Sequence, residues 1–545
     1  MTSVEQYVQD QLAVFGAADA CAAELLCDRH PVDAVAFTLV EGDLSGRDLT
    51  YGELREASSR FAVALAGLGV GQGDRVATLM GKSAELVIAL LGIWRLGAVQ
   101  VPLFTAFAPP AIALRITGND TKVVIADEAQ LGKLAPSADI PADPPWQLVS
   151  TGAEVGGALS FEALLRAAEP LPAPVSTGGD GVLIELFTSG TTGLPKAVPV
   201  PLRAVAGMQV YQRYALDHAE QDVFWNAADP GWAYGLFYAI TTPLALGRRA
   251  ILLRAGFSPE LTWSVMSRFG VTNFTAAPTV YRALRNAQLP VPDDLRLRHC
   301  SSAGEPLTPD VVSWAEQTLG IPVLDQYGQT ELGMVVANAW HAELRDVVKP
   351  GSMGRPLPGF TVEVLDEDAD RVARPDQRGR VAVDCPASPL MWFTGYHNAP
   401  DRTKDKFSPD GRWYYTGDVA AKDHDGYLTF AARDDDVILM AGYRIGPFDV
   451  ESVLQQHPAV AESAVIGVPD ELRGEVLIAY VVAQPDVSTG PELVADLQQL
   501  VKTRFAAHAY PRSIIFVEEL PKTPSGKIQR FLLRQRHTQP ADPTD

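Results

Sequence analysis

Between Leu186 and Lys196 the chain reads Leu186-Phe187-Thr188-Ser189-Gly190-Thr191-Thr192-Gly193-Leu194-Pro195-Lys196, directly after the apolar run Val182-Leu183-Ile184. Hydroxyl residues alternate here with glycines, which accept φ values that other residues avoid, so successive amides can turn toward one point and form a nest for an anion. The expected guest is a phosphate-bearing ligand. The spacing differs from a Walker A loop, because Lys196 comes three residues after Gly193 and is followed by Ala197 rather than Ser or Thr. Taken alone, the stretch could also be a hydroxyl-rich surface turn.

Two further polar stretches follow runs that read as strands: Ser301-Ser302-Ala303-Gly304-Glu305-Pro306 after Leu297–Cys300, and Asp325-Gln326-Tyr327-Gly328-Gln329-Thr330-Glu331 after Ile321–Leu324. In open α/β sheets ligands bind beyond the carboxyl ends of the strands, so loops at 188–196, 301–306 and 325–331 are expected to share one cleft. The segment Trp232-Ala233-Tyr234-Gly235-Leu236-Phe237 reads as core or as a pocket wall.

The elements that must position these groups are repeated strand-helix units. Arg75–Met80 is strand-like; Ser83 can cap a helix that places Leu86, Leu90, Ile93 and Trp94 on one face, and Gly97 suits its C-terminal turn. The glycine cluster Gly67–Gly73 follows a helical pattern and precedes a strand, the reverse of the dinucleotide-binding order, and reads as a helix stop. Residues 136–174 have weak periodicity and are expected to be surface connections. Thr308 and Pro309 open a helix that Gly320 ends. Beyond Gly354, short alternating strands such as Gly379–Val383 and Gly426–Phe430 indicate a β-rich subdomain. Arg433–Asp436 reads as a charged, exposed linker to a smaller segment, which begins with a helix at Pro447 and ends in a basic, mobile loop at 521–530.

With 545 residues, the chain is long enough for about three to four compact units. A formal net charge of -21 argues against nucleic acid and anionic membrane surfaces as partners, so any anionic ligand must be held by local cations. Cys21, Cys27, Cys300 and Cys385 lack the spacing of a disulfide framework or a zinc site, and cytosolic thiols are the simpler reading. Arg95 and Gln100 interrupt the longest apolar run, and no export leader or membrane insertion is expected.

The order of Thr188–Lys196, Tyr327–Glu331, Tyr415-Thr416-Gly417-Asp418, Gly442-Tyr443-Arg444 and Ser525-Gly526-Lys527 resembles the adenylate-forming superfamily over about residues 30 to 535. Within it, the segments 442–451 and 521–530 are most similar to the medium-chain acyl-CoA synthetases. The resemblance implies an α/β fold: a large N-terminal domain of two doubly wound subdomains plus the β-rich subdomain, residues 1–434, and a small mobile α+β domain, 435–545, turning on a hinge at Asp435. It implies ligation of a medium-chain aliphatic or an aromatic carboxylic acid to coenzyme A, with ATP and Mg²⁺, through an acyl-adenylate. AMP and pyrophosphate would be released, and a cytoplasmic enzyme is expected, with a homodimer as one open state.

By the same resemblance Thr188, Glu331 and Lys527 are the catalytic set and Glu331 the metal ligand. The nucleotide would be held by Thr188, Ser189, Gly190, Thr191, Thr192, Gly193 and Lys196 at its phosphates, and by Gly304, Glu305, Pro306, Asp325, Gln326, Tyr327, Gly328, Gln329 and Thr330 around the base. Asp418, Phe430 and Arg433 complete that set at the ribose. Trp232, Tyr234, Leu236, Phe237 and Gly328 would line the acyl pocket, with the glycine leaving open a space that acetyl-specific relatives fill with tryptophan. Gly442, Tyr443 and Arg444 would meet coenzyme A. Departures from the family pattern are Pro199-Val200-Pro201 after the loop and Ala432 before Arg433; the first bears on substrate choice. The competing readings are loading of an acyl carrier protein and a catalytically silent nucleotide-binding protein, which would have no need of Lys527.

Overall fold

The computed structural model describes residues 3–538 except 153–156, 172, 189–194, 434–435, 441–442, 471–473, 486, 506–508 and 524–526. Three sheets carry the described chain. In the first, the strands Arg75–Leu79, Val99–Pro102, Thr121–Ala126, Gln147–Ser150 and Val182–Thr188 run parallel, and Lys196–Pro201 closes one edge antiparallel to Val182–Thr188.

The largest sheet changes character along its length. Its parallel half contains Val35–Glu41, Ala250–Arg254, Phe224–Asn226, Asn273–Ala276, His299–Ala303 and Val323–Gln329. From there it continues antiparallel through Gly333–Ala337, Ser352–Pro356, Leu428–Arg433, Trp413–Lys422, Arg378–Asp384 and Val362–Leu365. The β-rich region expected beyond Gly354 is therefore hydrogen-bonded to the α/β part as one sheet. A smaller sheet near the C-terminus pairs Val460–Asp470 with Gly474–Ala483, which also accepts Ser513–Phe516 in parallel.

The helix Ala84–Arg95 shows why the sequence folds this way. The Ser83 side chain accepts from the Leu86 amide at 3.1 Å, and Gly97, at φ 66°, turns the chain back into the neighbouring parallel strand. Every residue of that helix except Glu85 is buried, including Arg95 at 3% exposure. Its guanidinium donates to Asp28 at 2.8 Å and to Ser58 at 2.8 Å, which compensates for desolvation.

Five local expectations are corrected. Residues 136–174 are not all connections: they include the strands Gln147–Ser150 and Leu159–Ser160 and the helix Phe161–Ala167, anchored by Phe161 against Phe61 with ring centroids 4.2 Å apart. Ser301, Ser302 and Ala303 lie inside a strand, and so do Asp325 to Gln329, because pairing on both sides carries the strand past its apolar start. The strand expected from Gly426 begins at Leu428. Asp436 is not an exposed linker residue, since Arg534 donates to it at 2.9 Å. The basic segment after Pro521 is a hairpin, with Thr523 N–H donating to the Lys527 carbonyl at 2.7 Å and Gln529 N–H to that of Pro521 at 2.8 Å.

Asp28→Ala leaves the Arg95 guanidinium buried without its charge partner, which typically costs about 3–5 kcal/mol. The large body should therefore unfold at a markedly lower urea concentration, read by intrinsic fluorescence, whereas an Asp48→Ala change at a half-exposed ion pair should shift the transition little.

Candidate functional site

Where the parallel half of the large sheet meets its antiparallel extension, the strand Val323–Gln329 delivers side chains toward Asp418 on Trp413–Lys422. Asp418 is 3% exposed. Its carboxylate accepts from the Tyr327 hydroxyl at 2.5 Å and the Gln329 amide at 2.7 Å, and it pairs with Arg433, its cross-strand neighbour, at 3.0 Å. Lys406 braces the strand just before it by donating to the carbonyls of Tyr415 at 3.2 Å and Thr416 at 3.1 Å. The following Gly417, at φ 79°, takes a conformation that favours glycine.

Glu331 is buried just past the same strand, and the Tyr396 hydroxyl donates to its Oε1 at 2.7 Å. The ammonium of Lys196 lies 4.9 Å from the centroid of the Tyr396 ring. Thr188 and Lys196 face each other across the antiparallel strands Val182–Thr188 and Lys196–Pro201. The hydroxyl-rich stretch thus connects two antiparallel strands. Ser189, Gly190, Thr191, Thr192 and Gly193 lie outside the described residues.

Gly304, at φ 98°, leads into Glu305, whose carboxylate accepts from Arg282 at 2.8 Å and Thr279 at 3.3 Å; Pro306 follows, half-buried. Asp325 is buried beneath this turn, where its carboxylate accepts from the amides of Gln326 at 3.0 Å and Leu307 at 3.5 Å. Burial outweighs both bonds and pushes its pKa up to about 8.

Lys527 reaches the same cleft from the C-terminal hairpin. The side chain touches solvent, yet enclosure by protein costs it hydration, and this is the main influence lowering its pKa. Glu305 is the strongest charge opposing the shift; Arg433 lowers the pKa further, and Asp418 and Glu331 raise it. The five groups share one electrostatic neighbourhood. Two ion pairs fix the hairpin: Lys522 to Glu462 at 2.7 Å before it and Arg530 to Glu451 at 2.7 Å after it.

The other expected residues divide. Trp232 and Tyr234 are half-buried, with Trp232 against Phe104 at 5.5 Å and Phe107 at 6.1 Å between centroids. Leu236 and Phe237 are 0% and 1% exposed and belong to the core, so they stand behind any pocket surface instead of forming it. Gly328 is fixed by the sheet: a Cβ there would lie 2.2 Å from the Gly333 carbonyl oxygen, so no side chain enters without moving the neighbouring strand. Phe430 packs on Phe448 at 6.1 Å. Thr330 is half-buried at the turn after the strand. Tyr443 and Arg444 lie in the strand Tyr443–Ile445, while Gly442 and Asp435 fall outside the described residues. Arg282, Tyr396 and Lys406 belong to no motif and were missed by the sequence reading.

The pattern of AMP-binding enzymes matches residues 24–397, and that of the AMP-binding enzyme C-terminal domain matches residues 449–527. The chain belongs to the AMP-binding enzyme family. It is 36% identical over 512 residues to a mitochondrial acyl-coenzyme A synthetase of Rattus norvegicus, covering 92% of this chain and 86% of the relative. An acyl-CoA synthetase structure from Brucella canis is 43% identical, with TM-score 0.75 and 97% of both chains covered. A benzoate CoA ligase from Burkholderia xenovorans superposes with TM-score 0.82 at 31% identity, covering 94% of this chain and 99% of that one.

A carboxyl whose folded pKa is raised binds a proton that the unfolded chain has released, so its contribution to stability falls as pH rises from about 4 toward its folded value. Relative to Asp325→Asn, the wild type should lose up to about 1.4 kcal/mol per pH unit across that window, measured by denaturant titration. A stability difference independent of pH would mean that Asp325 is ionised in the folded protein.

Proposed function

We propose that the chain is an ATP-dependent acid:CoA ligase in which Lys527 supplies the charge for acyl-adenylate formation. The supporting observation is that Lys527 lies in the electrostatic neighbourhood of Glu305, Asp418, Arg433 and Glu331, all far from it in sequence. In the first step a carboxylate oxygen bonds to the α-phosphorus of ATP and the bond to pyrophosphate breaks. Two anions must meet, so a cation held in place beside them lowers the barrier more than one in bulk solvent. In the second step the thiol sulfur of coenzyme A bonds to the acyl carbon, its proton leaves, and the bond to AMP breaks.

Other residues fit supporting roles. Tyr327, fixed through its hydroxyl, would offer a ring face to the base, and Asp418 would share its remaining acceptor capacity with the ribose. Thr188 and Lys196 frame the connection proposed to hold the outer phosphates. Magnesium commonly binds through one or two carboxylates plus substrate phosphates, and the single buried Glu331, oriented by Tyr396, fits that donor set. When bound, the ion would neutralise phosphate charge there.

The division at 434/435 and a pivot at Asp435 belong to the same reading. The helix Pro447–Leu454 meets the larger part through Phe448 on Phe430 and a half-exposed Arg378–Asp449 ion pair at 3.0 Å. Such an ion pair is worth at most about 1 kcal/mol, so giving it up on rotation costs little. Free thiols at Cys21, Cys27, Cys300 and Cys385 support a cytoplasmic enzyme, and no helix among the described residues is long and apolar enough to cross a membrane.

Lys527→Ala should slow acid-dependent ATP–pyrophosphate exchange by about 10²–10³-fold, the usual cost of one transition-state donor. Thioester formation from supplied acyl-adenylate should fall far less. Equal losses in both half-reactions would contradict the role given to Lys527.

A further inference from the structure

Glu185 lies in the middle of the strand Val182–Thr188 and is 0% exposed, between the buried apolar residues Ile184 and Leu186. Three side chains from separate segments meet its carboxylate: Nδ1 of His397 at 2.8 Å, Arg75 at 3.2 Å and the Asn119 amide at 3.4 Å. The Arg75 guanidinium also lies 3.5 Å from His397 Nε2. The tautomer that satisfies all three groups has Nδ1–H donating to Glu185 and Nε2 accepting from Arg75. Apolar side chains of similar volume often replace a buried charge cluster without loss of stability, so packing alone does not account for this one.

What the cluster holds in place is the segment from Trp392 to His397. The His397 N–H donates to the carbonyl of Ala197, the residue after Lys196, at 2.9 Å. One position earlier, the buried Tyr396 has its ring 4.9 Å from the Lys196 ammonium and donates through its hydroxyl to Glu331 at 2.7 Å. Trp392 Nε1 donates to the Leu332 carbonyl at 3.3 Å, next to Glu331. The segment thus joins the sheet that carries Thr188 and Lys196 to the turn that carries Glu331.

We propose that Glu185 and His397 are positioning residues for acyl-adenylate formation: they fix Tyr396, and through it hold Lys196 and Glu331 in register with the phosphates of ATP. This rests on the ligase reading above and gives a role to a buried carboxylate that the reading leaves without one. Neither residue has to touch a substrate. Groups that stabilise a transferring phosphoryl group are effective only when held in advance, and a misplacement of about 1 Å can cost 10²-fold in rate. The polyphosphate is present only in the first step, so the effect of the pair is confined to that step and to ATP.

The test follows variants in acid-dependent ATP–pyrophosphate exchange, with the affinity for ATP and Mg²⁺ in the absence of acid measured by calorimetry. His397→Phe keeps a ring but loses the bond to Glu185, so kcat/KM for ATP and the affinity for ATP should each fall about tenfold, with KM for the acid little changed. Thioester formation from supplied acyl-adenylate should stay within about twofold of wild type. His397→Asn, whose amide can donate in place of Nδ1–H, should recover most of the loss. Added to Tyr396→Phe, which keeps the ring beside Lys196 but releases Glu331, His397→Phe should cost less than it does alone, because the two changes act on one lever. Glu185→Gln should show a smaller loss of the same selectivity, and it serves if His397→Phe does not fold. Equal losses for ATP, acid and adenylate, losses that multiply in the double variant, or a lowered urea midpoint with the ATP parameters unchanged would each overturn the proposal while leaving the ligase standing. No exchange by the wild type with any acid would overturn both.

Discussion

The proposed reaction depends on one attraction, that of the Lys527 ammonium for carboxylates brought from distant segments. The chain carries a formal net charge of -21, and Lys527 enters a cleft that already contains Glu305, Asp418 and Glu331. Those carboxylates favour the charged ammonium, while partial loss of hydration and Arg433 oppose it. An incoming polyphosphate would therefore meet a cation placed in advance, so little reorganisation is needed when charge develops at phosphorus.

The rest of the fold can be understood as the means of bringing distant segments to that point. Tyr327 and Asp418 are 91 residues apart, and they meet because the parallel sheet continues into antiparallel strands that fold back across its end. Arg433 reaches Asp418 by cross-strand register alone. The hairpin bearing Lys527 is tied by Lys522 and Arg530 to Glu462 and Glu451, which anchors it to the smaller sheet and to the helix Pro447–Leu454. If that sheet turns, the charge is withdrawn and the cleft is free for a different reactant, which suits a two-step reaction with successive anionic and thiol partners.

How much of this was legible in the sequence depended on whether the signal was local. The Ser83 cap, the Gly97 turn and the helix at Pro447 were read correctly, because caps and apolar spacing act within a few residues. The strand Val323–Gln329 was cut short at Leu324, since its polar end is stabilised by neighbours on both sides rather than by its own residue types. Gly328 was read as an open door, but the close approach of Gly333 is a tertiary fact with no local trace. Tyr396, Lys406 and Arg282 could not be found from spacing, because each reaches the site from a segment that carries no motif.

The most direct measurement is a crystal structure with a non-reactive acyl-adenylate analogue bound. The account predicts the Lys527 ammonium within hydrogen-bonding distance, about 3 Å, of an oxygen on the analogue's phosphate-equivalent group. A bound analogue whose α-phosphate position is neutralised by another side chain, with Lys527 turned out to solvent, would contradict it.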